Sequence, residues 1–230
     1  MENNFIYLDN ASTTPLSENV LNIINSTYKN YWHNPSSTYE LGIKCSTYLE
    51  KIRSKIAYIF EAEPEDIIFT SGSSESTNIV FNNIYENFKN GRVVISNVEH
   101  QATTICANKL RKQNWDIYEW KVNNDGILNI ANIDNILTND TKLVSIIWGQ
   151  SEIGTIQPVQ FIGSKCEELN IMFHLDGTQI LSNGIFSWKD LKCDFLSLSA
   201  HKFGGPKGIG ILLTKEKSRM ILKNKDISLT

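Results

Sequence analysis

Short apolar runs recur along most of this chain, with helical patterns between most of them, and that alternation constrains the fold more than any other feature. Residues 67–70 read Ile-Ile-Phe-Thr, and further runs cover Val93–Ser96, Trp115–Trp120, Leu143–Trp148, Ile171–Leu175, Phe195–Leu198 and Gly210–Thr214. Apolar residues at three-to-four spacing predict helices after Ser71–Ser76 as far as Phe88, and over Gln101–Lys112, Ile130–Leu137 and Val159–Leu169. Strands covered on both faces need continuous apolar runs, and amphipathic helices supply the crossovers of a parallel sheet. Upstream, Ser17 is placed to cap a helix with Val20, Ile23, Ile24, Thr27 and Tyr31 on one face. The Asn34-Pro35 pair breaks it, and a second helix is expected over Thr38–Phe60. With no internal repeat or low-complexity linker, one α/β domain is the economical reading.

Composition excludes several classes of function. The chain has 230 residues, 41% of them hydrophobic and 20% charged, with a formal net charge of −3, which argues against a nucleic-acid-binding surface. No window approaches the ~18 apolar residues of a membrane span. Met1-Glu2-Asn3-Asn4-Phe5 lacks the basic and apolar regions of a secretory signal, so a cytoplasmic protein is expected. Cys45, Cys106, Cys166 and Cys193 are scattered, without C-x-x-C, and read as reduced structural thiols, not as a disulfide framework or a zinc site.

In an open parallel sheet, ligands bind beyond the carboxyl ends of the strands. The residues just after each run are therefore informative. Ser71-Gly72-Ser73-Ser74 offers hydroxyls and N–H groups at a helix start, either an anion site or a plain N-cap. His100 is either a ligand-facing ring or a capping or packed histidine. Gly149-Gln150-Ser151-Glu152 is a polar turn; Asp176, with Thr178 and Gln179 after it, ends an apolar run. Ser199, His201 and Lys202 come after the next run, before the Gly-rich turn Gly204-Gly205-Pro206. Lys202 is either a partly desolvated amine suited to Schiff-base chemistry or an ordinary hairpin lysine. Together these make an anion cradle, an aromatic ring, a carboxylate, an amide and an amine at one sheet edge. Pyridoxal 5′-phosphate (PLP) would use all of them through its phosphate, ring face, ring nitrogen, phenolic oxygen and aldehyde, with no metal. A nucleotide fits less well, because neither G-x-G-x-x-G nor a P-loop motif is present.

The segments Tyr7-Leu8-Asp9-Asn10-Ala11-Ser12-Thr13-Thr14-Pro15, Asn34-Pro35-Ser36-Ser37, Phe69–Ser76, Glu99-His100, Glu152-Ile153-Gly154, His174–Gln179 and Ser199–Lys202 occur in an order and spacing that resemble the PLP-dependent cysteine desulfurases of the NifS/IscS kind. These belong to the class V aminotransferase group. The resemblance implies a fold-type I large domain over residues 1–230, with residues 1–15 an N-terminal arm. It implies that Lys202 holds the cofactor and moves protons at the substrate α-carbon, and that Asp176 keeps the ring nitrogen protonated. Gln179 would bond the phenolic oxygen, and His100 would stack on the ring and act as acid or base. Ser73, Ser74, Ser199 and His201 would bind phosphate, and Asn10 and Ser151 would face the substrate. The implied reaction takes sulfur from L-cysteine, leaving alanine and a persulfide for iron–sulfur cluster assembly or tRNA thiolation. The implied partners are a second copy in a homodimer and an iron–sulfur scaffold or other sulfur acceptor, with no nucleic acid or membrane.

Two departures qualify the resemblance. The family usually has Asn-Asn-Glu-Ile-Gly where this chain has Gln150-Ser151-Glu152-Ile153-Gly154, and Ser151 cannot offer the same amide to a substrate carboxylate. The family pattern also continues past the closing Asp226-Ile227-Ser228-Leu229-Thr230, into a small domain carrying the persulfide cysteine and a carboxylate-binding arginine. The expectation is therefore a cofactor half that releases little sulfur by itself, with a second polypeptide supplying the small domain. The alternatives are another class V enzyme (an aminotransferase or a selenocysteine or β-lyase) and a non-catalytic remnant that binds a partner desulfurase.

Overall fold

A computed structural model of the protein describes residues 6–222. The Met1–Phe5 segment, the first part of the expected arm and the Asp226–Thr230 end lie outside the described residues. Strands β1 (Ile67–Thr70), β2 (Arg92–Ser96), β3 (Asp116–Trp120), β4 (Thr141–Ile147), β5 (Met172–Asp176), β6 (Phe195–Ser199) and β7 (Gly210–Thr214) form one sheet in the order β1-β7-β6-β5-β4-β2-β3. Strands β6, β5, β4, β2 and β3 are parallel. Strand β7 runs antiparallel to both β6 and β1. For β6 and β7 the cause is local: only residues 200–209 join them, and a parallel return would need a crossover of a dozen or more residues.

Helices α1 (Glu18–Asn30), α2 (Glu40–Phe60), α3 (Ser73–Asn87), α4 (Gln101–Arg111), α5 (Ile133–Ile136), α6 (Val159–Glu168) and α7 (Glu216–Leu222) complete the described chain. Successive strand residues feed opposite faces of the sheet, which is why the strands read as unbroken apolar runs. On one face Val93, Ile95, Leu143 and Phe195 pack with Val80, Phe81 and Ile84 of α3 and with Cys106 and Leu110 of α4. On the other, Val94, Val144, Phe173 and Leu196 pack with Ala57 and Phe60 of α2 and with Ile162 and Cys166 of α6. The result is three layers: helices, a mostly parallel sheet, and helices.

The expected helix over Ile130–Leu137 is instead a 3-10 turn, Ile130–Asn132, running into the single turn of α5. The first helix is also less embedded than its apolar face suggests. Ser17 accepts a hydrogen bond from Val20 N–H at 3.3 Å as its cap, yet α1 buries no residue and Ile23 is 61% exposed. The helix is tied to the body at both ends: the N–H of its cap Ser17 donates to Gly204 O at 3.1 Å, and the C-cap Tyr31 stacks on Tyr48 of α2 with centroids 4.0 Å apart. In α2, Cys45, Ala57 and Phe60 are buried, whereas Leu41 and Ile59 are exposed. No described helix is long and apolar enough to cross a membrane.

Candidate active site

The carboxyl ends of β1, β2, β4, β5 and β6 and the first residue of β7 share one edge of the sheet, as the pairings of Thr70 and Ser199 with Gly210 show. Gly210 makes that junction tight. A Cβ there would lie 2.5 Å from Gly72 Cα and 2.6 Å from Leu198 O, so only glycine lets the turn before α3 settle against β6. The consequence is a bond between distant segments: Ser73 N–H donates to Ser199 Oγ at 2.8 Å. Helix α3 begins at this point behind Gly72, which supplies no side-chain cap. Its N-terminal N–H groups and partial positive charge therefore face the cavity alongside Ser73 and Ser74, an arrangement that favours an anion.

The cavity at this edge has a volume of about 450 Å³, ordinary for a small-molecule site. Ser73, Ser74, His100, Ser151, Asp176, Gln179, Ser199, His201 and Lys202 all line it. Asn10 does not; the N-terminal turn contributes Asp9, Ala11 and Ser12 in its place. Asp176 ends β5 and is 4% exposed. Its Oδ1 accepts from Ser73 Oγ at 3.3 Å, from Thr178 N–H at 3.0 Å and from the Thr178 hydroxyl. Among the described residues none donates to Oδ2, which leaves that oxygen to meet a cation.

Lys202 sits one 3-10 turn past β6. Its Nζ donates to Ala11 O and Ser12 O, both at 2.8 Å, and Gln179 Nε2 donates to the same Ala11 O at 2.7 Å. The N-terminal turn thus lies across the amine and the amide. It is anchored there by Thr14 N–H to His201 O at 2.8 Å and by Gly204 N–H to Thr14 Oγ1 at 2.7 Å. Partial burial pushes the Lys202 pKa below its ordinary value, against the opposing pull of Asp176 and Asp9. A larger fraction of neutral, nucleophilic amine results. Burial also lowers the His201 pKa, helped by the charges of Lys202 and Lys207. His100 caps α4, its Nδ1 accepting from Ala102 N–H at 3.1 Å, and it remains exposed at the cavity wall.

Some contributors are hidden in the sequence. Thr178 is visible two residues after Asp176, but the pair of hydrogen bonds it donates to that carboxylate is not. Glu99 is visible only as the neighbour of His100; its carboxyl accepts from Ile147 N–H across 48 residues of chain at 2.7 Å. His174, two residues before Asp176, is fully buried between two hydroxyls, Ser145 Oγ at 2.8 Å and Ser197 Oγ at 2.7 Å. Burial pushes its pKa down to about 4, against the pull of Asp176, so the ring is neutral at pH 7.

That neutral imidazole carries a stability prediction. The unfolded chain takes up the proton near pH 6.5 and the folded chain only near 4, so His174 stabilises the fold above pH 6.5 and loses that contribution as pH falls through this window. The loss attributable to this residue is on the order of 3 kcal/mol. Denaturant unfolding of wild type and His174→Gln at several pH values should show a steeper acid-side decline in wild type. Parallel curves would contradict it.

The aminotransferase class-V family profile matches residues 6–224 of this chain. Among curated relatives, the cysteine desulfurase IscS of Clostridium botulinum is 36% identical over 215 residues, covering 93% of this chain and 54% of the relative. The mitochondrial cysteine desulfurase of Saccharomyces cerevisiae is 32% identical over 221 residues, covering 95% of this chain and 44% of the relative. A solved NifS-like protein superposes with a TM-score of 0.88 at 31% identity, over 92% of this chain and 59% of its own. SspA in complex with cysteine gives 0.88 at 29% identity, over 92% and 62%. The chain thus spans about half the length of the curated relatives it matches.

Proposed function

This chain belongs to the aminotransferase class-V family, and from that membership we propose that its cavity holds PLP and removes sulfur from L-cysteine. The observation carrying this reading is the meeting of the Lys202 amine, the Asp176 carboxylate, the Gln179 amide and the start of α3 around one cavity of about 450 Å³. Those donors and acceptors fit a flat, phosphate-bearing pyridine aldehyde group by group. When bound, PLP supplies an electron sink for bonds broken at the substrate α- and β-carbons.

The chain's own residues do the rest. The N–H groups opening α3, with Ser73, Ser74, Ser199 and His201, would bind the phosphate. Asp176 would hold a proton on the ring nitrogen through the oxygen left open by Ser73 and Thr178. Gln179 would donate to the phenolic oxygen, and His100 would lie against the ring; both line the cavity. Lys202 would be the amine that holds the aldehyde end of the group, and its depressed pKa suits it to take up and return a proton at the substrate α-carbon. Ser151 bonds the substrate carboxylate with a hydroxyl. Overall, L-cysteine and an acceptor thiol become alanine and a persulfide. The chain's four cysteines are all buried, so the acceptor thiol comes from another source.

The test is a spectrophotometric titration of the PLP-loaded chain with L-cysteine, L-alanine and L-serine, in the presence of a small dithiol. The expected result is a spectral change with cysteine at the lowest concentration, together with alanine and sulfide formation that depends on the dithiol. A response to an ordinary amino donor but none to cysteine would favour the second reading, another class V reaction on an amino acid. The short Ser151 hydroxyl at the cavity wall supports that alternative.

A further inference from the structure

Glu99 lies in the segment that leads from β2 to α4, directly before His100. One of its carboxyl oxygens does two tasks. Oε1 accepts from the hydroxyl of Ser96, the last residue of β2, and from the N–H of Ile147, the last residue of β4. Strands β2 and β4 are neighbours in the sheet, and both Ile147 and His100 line the cavity, whereas Glu99 itself stands behind it. The other oxygen, Oε2, is buried and has no hydrogen-bond partner.

An ionised carboxylate with one oxygen buried and unpaired is strongly disfavoured, and a neutral acid much less so. The surroundings agree. Burial pushes the Glu99 pKa up to about 8; the bonds from Ser96 and Ile147 oppose this, and the Asp176 charge adds to it. A neutral carboxyl still accepts both bonds through its carbonyl oxygen. It also adds no second negative charge behind Asp176, the carboxylate that faces the cavity.

We infer that Glu99 is a positioning residue: in uncharged form it ties the carboxyl end of β2 to that of β4, and so fixes His100 and Ile147 as adjoining walls of the cofactor cavity. This rests on the PLP reading above, and the test separates the two. Three variants are compared with wild type for PLP affinity, for the circular dichroism of bound PLP, and for hydrogen exchange at the Ile147 amide. Glu99→Gln keeps a neutral carbonyl acceptor at the same reach; it should hold PLP affinity within about threefold, keep the dichroic band and leave Ile147 protected. Glu99→Ala should bind PLP on the order of tenfold more weakly, with a reduced band and faster exchange at Ile147, while the far-ultraviolet spectrum is unchanged. Glu99→Asp keeps the acid on an arm one methylene shorter and should resemble Ala, which preserves the test if the Ala variant does not fold.

A Gln variant as defective as Ala would show that charge, not the tie, matters and would overturn the inference. So would an Ala variant indistinguishable from wild type. If wild type itself binds no PLP, the cofactor reading fails alone: the Ile147 exchange still decides whether the tie exists.

Discussion

Lys202→Ala should abolish covalent capture of PLP. After incubation with PLP and reduction with borohydride, the wild-type chain should carry one pyridoxyl group, located by peptide mass spectrometry at Lys202, and the variant none. The amine is suited to this by place and by environment. It stands just past the end of β6, at the rim where the carboxyl ends of five strands gather, and burial depresses its pKa. Before it can meet a carbonyl compound it must leave two acceptors, Ala11 O and Ser12 O, each at 2.8 Å. Capture should therefore be accompanied by faster amide exchange in the turn around residues 9–13. The substitution itself should cost the fold only about 1–2 kcal/mol, because the two carbonyls it strands lie in an exposed turn that water can reach. An equal yield of reduced adduct in Lys202→Ala, on any other lysine, would remove Lys202 from the role assigned to it.

Asp176→Asn should weaken PLP binding by about 100-fold at pH 7, corresponding to ~2.7 kcal/mol. The amide keeps an oxygen for the Thr178 N–H and Ser73 hydroxyl bonds and changes the volume little, so the loss isolates the charge. Truncating one partner of a buried charged pair costs in this range because the remaining partner is left unpaired in a poorly polarisable site. His174 sharpens the expectation. As a neutral ring satisfied by Ser145 and Ser197, it leaves the Asp176 charge available to the cavity. Equilibrium titration followed by absorbance measures the effect, with thermal melting as a control for folding. Affinity within threefold of wild type would mean that the carboxylate holds no cationic partner.

The stretches in which backbone preference and side-chain pattern agree are legible in the sequence. The apolar runs mark every strand to within a residue or two at each end. Ser17 marks its helix cap, and Asp176 and Lys202 can be placed just beyond strand ends. Pattern misleads where it has no partner surface. The α1 face looks like a buried stripe, yet Val20, Ile24 and Thr27 are only half-buried and Ile23 stays exposed. The Ile130–Leu137 stretch has helical spacing but too few residues to sustain a helix, and it divides into a 3-10 turn and one α turn.

By itself, then, the sequence determined which segments are strands, where the longer helices lie, and which polar residues stand at their junctions. All of these depend on interactions between residues a few positions apart. Only the tertiary structure decided that β1 pairs with β7, that Ala11 and Ser12 meet Lys202 some 190 residues away, and that Glu99 reaches Ile147. Those outcomes depend on strand order and on which backbone groups remain unpaired once the sheet has closed. No local periodicity encodes either, because each is settled by packing between surfaces that exist only after the strands have come together.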